Sequence, residues 1–389
     1  MFSNNEHTIL IVSQPDSIHT KRFITAVREH YPASKIYLYP SNPFPFHEQL
    51  KSLCDGLVAH ANGTSQIPGN TYYRHIASNP LSHLSGNAAH LAATLQKLKP
   101  NFIHVNCIQD GGYLLSKAIE MHPTNWDFQI SLTVWGNDLF RYSGHPVHAP
   151  LIKDLLKKVD VLMPECHRDV SLARKLGFNG RFTKIIQATL TSDTLLRSYF
   201  KNHYGTEHGH IVLRASDDGD RASNGVAILG LIDSMDLLKG KTIYYLGEVV
   251  EEIRLLEPLI NSGTAQVEIV NNLPQKRFFE LLKSTRIYIS LTNSDGLPNA
   301  FLECCASRTY PVFSICSAVD EWLIDDNLLA LDPYDRNSAA QSLRGLLSGE
   351  IDIGSAIEKN NALLSRYNKS HITDVVEYLF GQSKDKGPR

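Results

Sequence analysis

The sequence of 389 residues lacks the marks of several large protein classes. Its six cysteines form no CxxC pair, which argues against a disulfide framework or a zinc site and favours a reducing compartment. No apolar run reaches the eighteen or so residues of a membrane span. The run Ile9–Val12 is too short for the core of a signal peptide and follows no basic leader, so we interpret it as a first buried strand.

The length and the periodicity predict two α/β domains. A single core stops growing near roughly 250–300 residues, and short apolar runs alternate with helical spacing along the whole chain, which is typical of doubly wound parallel sheets. Residues 39–85 are predicted to be long loops with one helix near Glu48–Ala59. The predicted plan is an N-terminal domain at 1–190, a linker at 191–209, a C-terminal domain at 210–365, a last helix at about 366–380 that could pack back on the first domain, and a disordered tail at 381–389.

The small net charge of -2 hides an asymmetry. Residues 1–205 carry 20 Lys and Arg against 14 Asp and Glu, whereas residues 206–389 carry 18 against 26. Fourteen of the 17 histidines also lie in the first part. The two halves are therefore expected to meet different partners, with a merely solvated surface as the alternative.

The stretch Ile287–Ser314 carries the most specific signal. A buried strand leads into a loop, and Pro298 is placed at the start of a helix, where its missing N–H costs nothing. Free N–H groups at such a helix start bind anions or hydroxyls. Asp295 and Glu303 are eight positions apart, on the order of 12 Å along a helix, a separation that suits a nucleotide sugar. Alternatively, Asp295 only caps the helix and Glu303 is a surface charge.

The segment Ser294–Ala306 resembles the "EGxPxxxxEAMA" signature of the family 4 retaining glycosyltransferases. The resemblance implies the GT-B fold, an α/β architecture of two Rossmann-like doubly wound domains facing a central cleft. It also implies that Asp295 is catalytic and binds the donor sugar, and that Glu303 contacts the nucleotide ribose. Asp295 stands where Glu is usual, Arg308 where Gly is usual, and Cys304 begins a Cys-Cys pair in place of Ala-Met. The other implied donor-binding residues are Gly296, Leu297, Pro298 and Asn299.

The strand Ile211–Arg214 resembles the family strand that opens the donor domain, where an Arg and a Lys neutralise the departing diphosphate. Arg214 matches the Arg, Asn224 stands at the Lys position, and Arg221 could supply the second cation. With such cations the family needs no metal, so no metal and no other cofactor are expected. Alternatively, Arg214 and Arg221 pair with the aspartates of the intervening loop.

The segment Ser13–Phe23 resembles the loop and helix that border the acceptor side in this family. His19 and Lys21 are therefore predicted to bind the acceptor through a phosphate or a hydroxyl. Alternatively, Asp16 or Ser17 only caps the helix.

The segment Val134–Leu139 resembles the family's "HGxD" turn, in the version with Trp before Gly. Trp135 could stack on a sugar face, and Asn137 and Asp138 are predicted to bind the acceptor. Asp138 is also the predicted catalytic group that orients the acceptor hydroxyl, unless it only caps the turn. His104 resembles the end of the family's "IHxH" strand and could equally be a core histidine.

These features predict a hexosyltransferase that uses a nucleoside diphosphate sugar and a carbohydrate or lipid-linked acceptor. The family's retaining chemistry, front-face attack assisted by the leaving phosphate, requires no protein nucleophile. The expected setting is cytoplasmic biosynthesis of polysaccharide, glycolipid or glycoprotein, with a peripheral contact of the N-terminal domain at the inner membrane face and no nucleic-acid partner. The alternatives are a degenerate GT-B module that binds nucleotide, glycan or a partner protein, and a nucleotide-sugar epimerase.

Overall fold

The computed structural model describes residues 6–63, 79–81, 84–121, 127–200, 209–215 and 223–381. The chain forms two compact units, one running to Thr191 and resuming at Lys369, the other spanning Ser192–Asn368. Arg221, the linker residues 201–208 and the tail from residue 382 lie outside the described residues. Among the described helices, none combines the length and the apolar character needed to cross a bilayer.

The first unit is built on a parallel sheet whose described strands lie in the order β3-β2-β1-β4-β5-β6-β7. Its central strands are buried on both faces, which explains their continuous apolar runs. The strands are β1 Thr8–Ser13, β2 Lys35–Pro40, β3 Gly56–Leu57, β4 Phe102–Asn106, β5 Gln129–Thr133, β6 Val161–Met163 and β7 Arg181–Phe182.

Helices connect these strands, and the last helix of the chain joins them. The helices are α1 Ile18–His30, α2 Leu50–Leu53, α3 Ser85–Leu98, α4 Tyr113–Met121, α5 His148–Lys158, α6 His167–Lys175 and, at the C-terminus, α15 Lys369–Phe380. A π-helical turn, Cys107–Gly112, joins β4 to α4. Helix α15 packs against α1, and the side-chain amide of Gln129 donates to the carbonyl of Leu379 at 2.8 Å.

The predicted helix near Glu48–Ala59 is wrong in extent. The structure has only the four-residue helix α2, and Cys54 after it is extended. Gly56 and Leu57 pair instead with Tyr37 and Leu38 as strand β3. Backbone pairing at the edge of the sheet therefore outweighs the helical spacing of this segment.

The second unit repeats the design with a sheet whose described strands lie in the order β10-β9-β8-β11-β12-β13. The strands are β8 His210–Arg214, β9 Thr242–Leu246, β10 Gln266–Val270, β11 Thr285–Ser290, β12 Tyr310–Ser314 and β13 Leu329–Leu331. The helices are α7 Asp193–Tyr199, α8 Gly225–Asp233, α9 Val250–Leu255, α10 Glu257–Ser262, α11 Gln275–Lys283, α12 Asn299–Ser307, α13 Arg336–Ser348 and α14 Ile353–Leu363.

Each sheet has one point at which the direction of winding reverses. In the first unit the reversal falls between β1 and β4, and in the second between β8 and β11. Connections leave such a point in opposite directions, so the carboxyl ends of those two strands border a crevice in which α/β proteins bind ligands. The prediction of doubly wound parallel sheets is confirmed, and the two reversals locate the candidate sites.

Candidate functional site

The second reversal point brings together the predicted donor residues. Strand β8 ends at Arg214, and β11 leads into the loop that holds Asp295. Helix α12 begins at Asn299, with Pro298 as its cap, one residue later than predicted. Asp295 lies four residues before the helix, so no continuous helix connects it to Glu303. The expected separation of about 12 Å along a helix therefore does not apply to the two carboxylates.

The loop before α12 is fixed by backbone contacts. The amide of Gly296 donates to Asp295 Oδ1 at 2.9 Å, and its carbonyl accepts from the amide of Ala318 at 2.9 Å. Gly296 and Leu297 are buried, whereas Asp295, Pro298 and Asn299 are half-buried. The half-buried residues are therefore the ones that a ligand at this helix start would meet.

Glu303 is not a surface charge, because only 6% of it is exposed. Helix α12 is buried on nearly all sides, with Phe301, Cys304 and Cys305 at 1% exposure or less. A carboxylate in such surroundings needs charged or hydrogen-bonding partners.

Arg214 and Glu303 both act electrostatically on the phenol of Tyr288. Burial raises the pKa of Tyr288, the positive charge of Arg214 opposes that rise, and the negative charge of Glu303 adds to it. The Arg214 guanidinium carbon also lies 5.2 Å from the centre of the Phe278 ring, within the range of a cation–π interaction. A cation at the end of β8 and a carboxylate of α12 therefore both act on one buried side chain.

Asn224, at the position of the family's lysine, is fully buried and holds three elements together. Its side-chain amide donates to the carbonyl of Arg214 at 3.0 Å and to Glu252 Oε2 at 3.1 Å, and its oxygen accepts from the amide of Leu291 at 2.8 Å. Its own backbone amide donates to Glu252 Oε1 at 2.8 Å. Asn224 therefore fixes the ends of both strands at the reversal point, a role that the sequence did not reveal.

The first reversal point gathers the predicted acceptor residues. The rings of His19 and Trp135 meet edge to face with centroids 5.6 Å apart. Helix α1 is capped by Ser17, whose hydroxyl accepts from the amide of His19 at 3.2 Å, which decides between Ser17 and Asp16 as the cap. Lys21 is half-buried in the first turn of the same helix.

Asp138 holds the backbone of two neighbouring turns. Its Oδ2 accepts from the amides of Trp135 at 2.9 Å and Ile108 at 2.8 Å, and the residue is 3% exposed. Burial raises the pKa of Asp138 to about 7, although these two hydrogen bonds oppose the rise. Asn137 beside it is half-buried.

Glu165 is a second buried carboxylate with a similar role, and the sequence reasoning missed it. It is 4% exposed, and its two oxygens accept from the amides of Gly136 at 3.0 Å and Ala188 at 2.9 Å. Its only sequence signal is an acidic residue two positions after a buried strand. Together Asp138 and Glu165 fix the turn that carries Trp135.

His104 is a core histidine. Its ring stacks on Phe23 at 4.2 Å, Nδ1 bonds Ser131 Oγ at 2.8 Å, and Nε2 lies 3.0 Å from Asn106 Oδ1 and 2.9 Å from Thr133 Oγ1. Complete burial lowers the pKa of His104 to about 3. Metal-ligating side chains do not gather in threes anywhere in the described ranges.

Comparison with solved structures shows the GT-B fold, which confirms the predicted fold class. A sucrose-phosphate synthase from Thermosynechococcus elongatus superposes with a TM-score of 0.68 at 14% identity, over 95% of this chain and 96% of that one. An alpha,alpha-trehalose-phosphate synthase (UDP-forming) from Burkholderia vietnamiensis gives 0.67 at 13% identity, over 97% and 99%. Anabaena HepE in complex with UDP and glucose gives 0.64 at 14% identity, over 95% and 97%. No family model and no curated protein sequence matches the chain.

Replacing Asp138 by Asn should change how stability depends on pH. The folded-state pKa of Asp138, about 7, lies above the unfolded value of 3.8, so its contribution to stability is complete below about pH 4 and is lost as pH rises to 7. The Asn variant lacks this loss. Its free energy of unfolding relative to the wild type should therefore rise between pH 4 and pH 7 and level off above, as measured by denaturant titration; a difference that is constant with pH would contradict the burial argument.

Replacing Asn224 by Ala should destabilise the second unit. The change leaves the amide of Leu291 without a buried acceptor, at a cost of about 1–3 kcal/mol, and it removes one of the hydrogen bonds accepted by Glu252 and one accepted by the carbonyl of Arg214. We expect a loss of at least about 2 kcal/mol by denaturant titration. Asn272→Gly, which removes one exposed bond to Glu248 and tolerates the φ of 53° at this position, is the control and should stay within about 0.5 kcal/mol of wild type.

Proposed function

We propose that this protein is a glycosyltransferase that moves a hexose-type sugar from a nucleoside diphosphate sugar to a carbohydrate or lipid-linked acceptor, with retention of configuration. The observation that carries the proposal is the arrangement at the second reversal point. There Asp295 lies before the start of α12, the buried Glu303 lies inside it, and Arg214 ends strand β8, which pairs with β11. The sequence of this segment supports the same activity.

Each residue of this site has a role in the proposed reaction. Glu303 binds the ribose hydroxyls, the loop of Asp295 and Gly296 binds the donor sugar, and Arg214 stabilises the charge that develops on the leaving diphosphate. Groups aimed at such charge are worth about 2.7–4 kcal/mol each in enzymes. Arg221 is proposed as the second cation. The acceptor attacks from the face that the diphosphate leaves, so no protein nucleophile and no metal is required.

The acceptor-side residues complete the proposal. Trp135 offers an aromatic face to a sugar ring, while His19, Lys21 and Asn137 offer polar contacts. Asp138 orients the acceptor hydroxyl through the turn that it holds. The comparison structures support the substrate class, because HepE is described with UDP and glucose, and the synthases from Thermosynechococcus and Burkholderia are named for sugar products.

A module that binds a nucleotide or glycan without turnover is the second candidate. One observation favours it: Asn224 replaces the family's lysine and is committed to Glu252 and Leu291. A site with one cation fewer stabilises a leaving diphosphate less well. The two candidates make the same prediction for donor binding and differ in turnover.

Donor binding can be tested by thermal unfolding with UDP-, GDP- and dTDP-linked hexoses. A donor at one hundred times its Kd stabilises the native state by about 2.7 kcal/mol and should raise Tm by several degrees. Glu303→Gln should weaken binding of the active donor at least tenfold, because it removes the charge that strengthens hydrogen bonds to the ribose. Glu257→Gln, an exposed carboxylate of the same unit, is the control and should bind like wild type.

The outcomes separate the candidates. Slow hydrolysis of the bound donor that releases a sugar of unchanged anomeric configuration, observed by proton NMR, supports the retaining transferase. Binding without turnover, with any of the acceptors supplied, supports the module. No change in Tm with any donor would overturn the transferase and the nucleotide-binding form of the module.

We also propose that the first unit binds anionic membrane surfaces through a basic face, defined here by Lys153 and Lys157 of α5 and Lys175 of α6. Residues 148–184 hold eight Lys and Arg against four Asp and Glu. Two of the four acids, Glu165 and Asp169, are buried at 4% and 0% exposure, so they neutralise little of the outer surface. The three lysines are exposed. Exposed Phe140 and Val147, at 37% and 48%, precede α5 and offer apolar contacts.

Vesicle binding tests the basic face. Each lysine near an anionic surface contributes about 1 kcal/mol, and the attraction weakens with salt. The double variant Lys153→Gln, Lys157→Gln should therefore bind phosphatidylglycerol-containing vesicles about tenfold or more weakly in sedimentation assays. The control Lys35→Gln, Lys51→Gln removes the same charge from other exposed sites of this unit and should bind like wild type. Equal losses in both double variants, or binding that ignores salt, would contradict the proposal.

A further inference from the structure

A buried carboxylate, Glu252, is joined to the second reversal point although no role in the proposed site has been given to it. It belongs to α9, which follows β9, and it is 4% exposed. Three donors reach it. They are the backbone amide of Asn224 at 2.8 Å, the side-chain amide of Asn224 at 3.1 Å and the hydroxyl of Tyr245 at 3.0 Å. The ion pairs of the described residues in this unit do not include Glu252.

The side-chain amide of Asn224 fits its partners in one orientation only. Its nitrogen donates to Glu252 Oε2 and, at 3.0 Å, to the carbonyl of Arg214, while its oxygen accepts from the amide of Leu291 at 2.8 Å. A flipped amide would place its oxygen against two acceptors and its nitrogen against a donor. Because Glu252 also binds the backbone amide of Asn224, it holds the whole residue in the position from which the side chain reaches Arg214.

Tyr245 completes the set of donors to Glu252. Burial raises the pKa of Tyr245, and the negative charge of Glu252 adds to that rise. The phenol therefore keeps its proton and donates it to Oε2 of Glu252. Both oxygens of Glu252 thus accept hydrogen bonds, which a carboxylate can do and a neutral side-chain amide cannot, since an amide has only one acceptor oxygen.

The peptide group that follows Arg214 is held from three sides. Its carbonyl accepts from Asn224 and, at 3.2 Å, from the hydroxyl of Ser290, and its N–H, which belongs to Ala215, donates to the carbonyl of Leu246 at 3.0 Å. The orientation of this peptide plane determines ψ of Arg214, one of the two soft dihedrals of that residue. The direction in which the Arg214 side chain leaves the strand therefore depends in part on Asn224.

The negative charge of Glu252 is not explained by ligand binding or by stability. Like charges repel, so a carboxylate at this reversal point disfavours the diphosphate that is proposed to bind there. Burial of a charge without a cation is also costly, and replacing buried charged groups by apolar residues is often neutral or stabilising. What Glu252 does supply is a single arrangement of Asn224 at the end of β8.

We propose that Glu252 is a positioning residue that acts through Asn224 on Arg214 and orients the guanidinium toward the diphosphate of the nucleotide. The inference rests on the proposed function, in which Arg214 stabilises the charge of that diphosphate. Such stabilisation depends on groups that are held in place before the reaction, and a misplacement of about 1 Å can cost on the order of 100-fold in rate. Glu252 itself does not touch the ligand.

Calorimetric titration of the full chain with UDP, GDP and dTDP tests the inference, and the tightest of the three is used for every variant. Nucleoside diphosphates lack the sugar, so they report on Arg214 without the Asp295 loop. Arg214→Ala should raise the Kd about tenfold or more, because it removes a charged partner of the phosphates. Glu252→Gln should raise it about fivefold or more, because either placement of the new NH₂ group sets it against an N–H of Asn224.

A double variant shows whether the effect passes through Arg214. In the Arg214→Ala background, Glu252→Gln should change the Kd by less than about twofold, since two changes that act through one group are not additive. A merely structural role would give the same loss in both backgrounds. Removal of the negative charge alone would lower the Kd of an anion, so the direction of the change separates repulsion from positioning.

Two further variants separate positioning from general damage to the fold. Tyr245→Phe removes one donor and leaves both oxygens of Glu252 to Asn224, so it should raise the Kd by a smaller factor, about threefold, and only while Arg214 is present. It decides the question if Glu252→Gln does not fold. Asn360→Ala breaks a buried pair with Asn327 in the same unit; it should lower the free energy of unfolding and leave the Kd unchanged.

Three results would overturn the inference: binding by Glu252→Gln as tight as or tighter than that of the wild type, equal losses with and without Arg214, or an unchanged Kd in Arg214→Ala. In each case a nucleoside diphosphate still binds, so donor binding by this protein stands. If the wild type binds none of the three nucleoside diphosphates and no nucleotide sugar, the proposed function fails, and the inference fails with it.

Discussion

The arrangement of the protein depends on one topological constraint, the reversal of winding in each parallel sheet. The first sheet reverses between β1 and β4 and the second between β8 and β11. Because crossover connections leave these points in opposite directions, polar residues after the two strands can approach each other without a covering helix. Arg214 and the Asp295 loop meet this condition in the second unit.

Buried polar side chains keep these strand ends in place. Asp138, Glu165 and Asn224 each bind backbone groups of two or more segments. Their hydrogen bonds satisfy backbone groups beyond the strand ends, where the hydrogen bonds between strands stop. A buried polar group destabilises the fold when it is unpaired, and when it is paired it favours one arrangement of the segments that it joins. The loops of both sites are therefore defined by a few carboxyl and amide groups, while Asp295, Asn299 and Trp135 lie half-buried beside them.

The sequence predicted the features that have strong local causes. The sheets followed from apolar runs, and the start of α12 from Pro298 was correct to one residue, because both depend on neighbouring residues alone. It could not reveal contacts between distant segments. From the sequence, Asn224 was interpreted only as a replacement for the family's lysine. Its partners Glu252 and Leu291 lie 28 and 67 positions away, so its hydrogen bonds could not be predicted. Glu165 was missed for the same reason, because the amides of Gly136 and Ala188 that it binds lie 29 and 23 positions away.

The docking of α15 on the first unit has a consequence for how the chain is made. Phe380 packs its ring near those of Tyr31 and Phe102, with centroids 6.1 and 5.9 Å apart, and Leu379 accepts the hydrogen bond of Gln129. These contacts join segments that lie on either side of the second unit in the sequence. The second unit, continuous in sequence, can close its core while synthesis is still under way. The first unit is therefore completed only after the whole of the second unit has been synthesised.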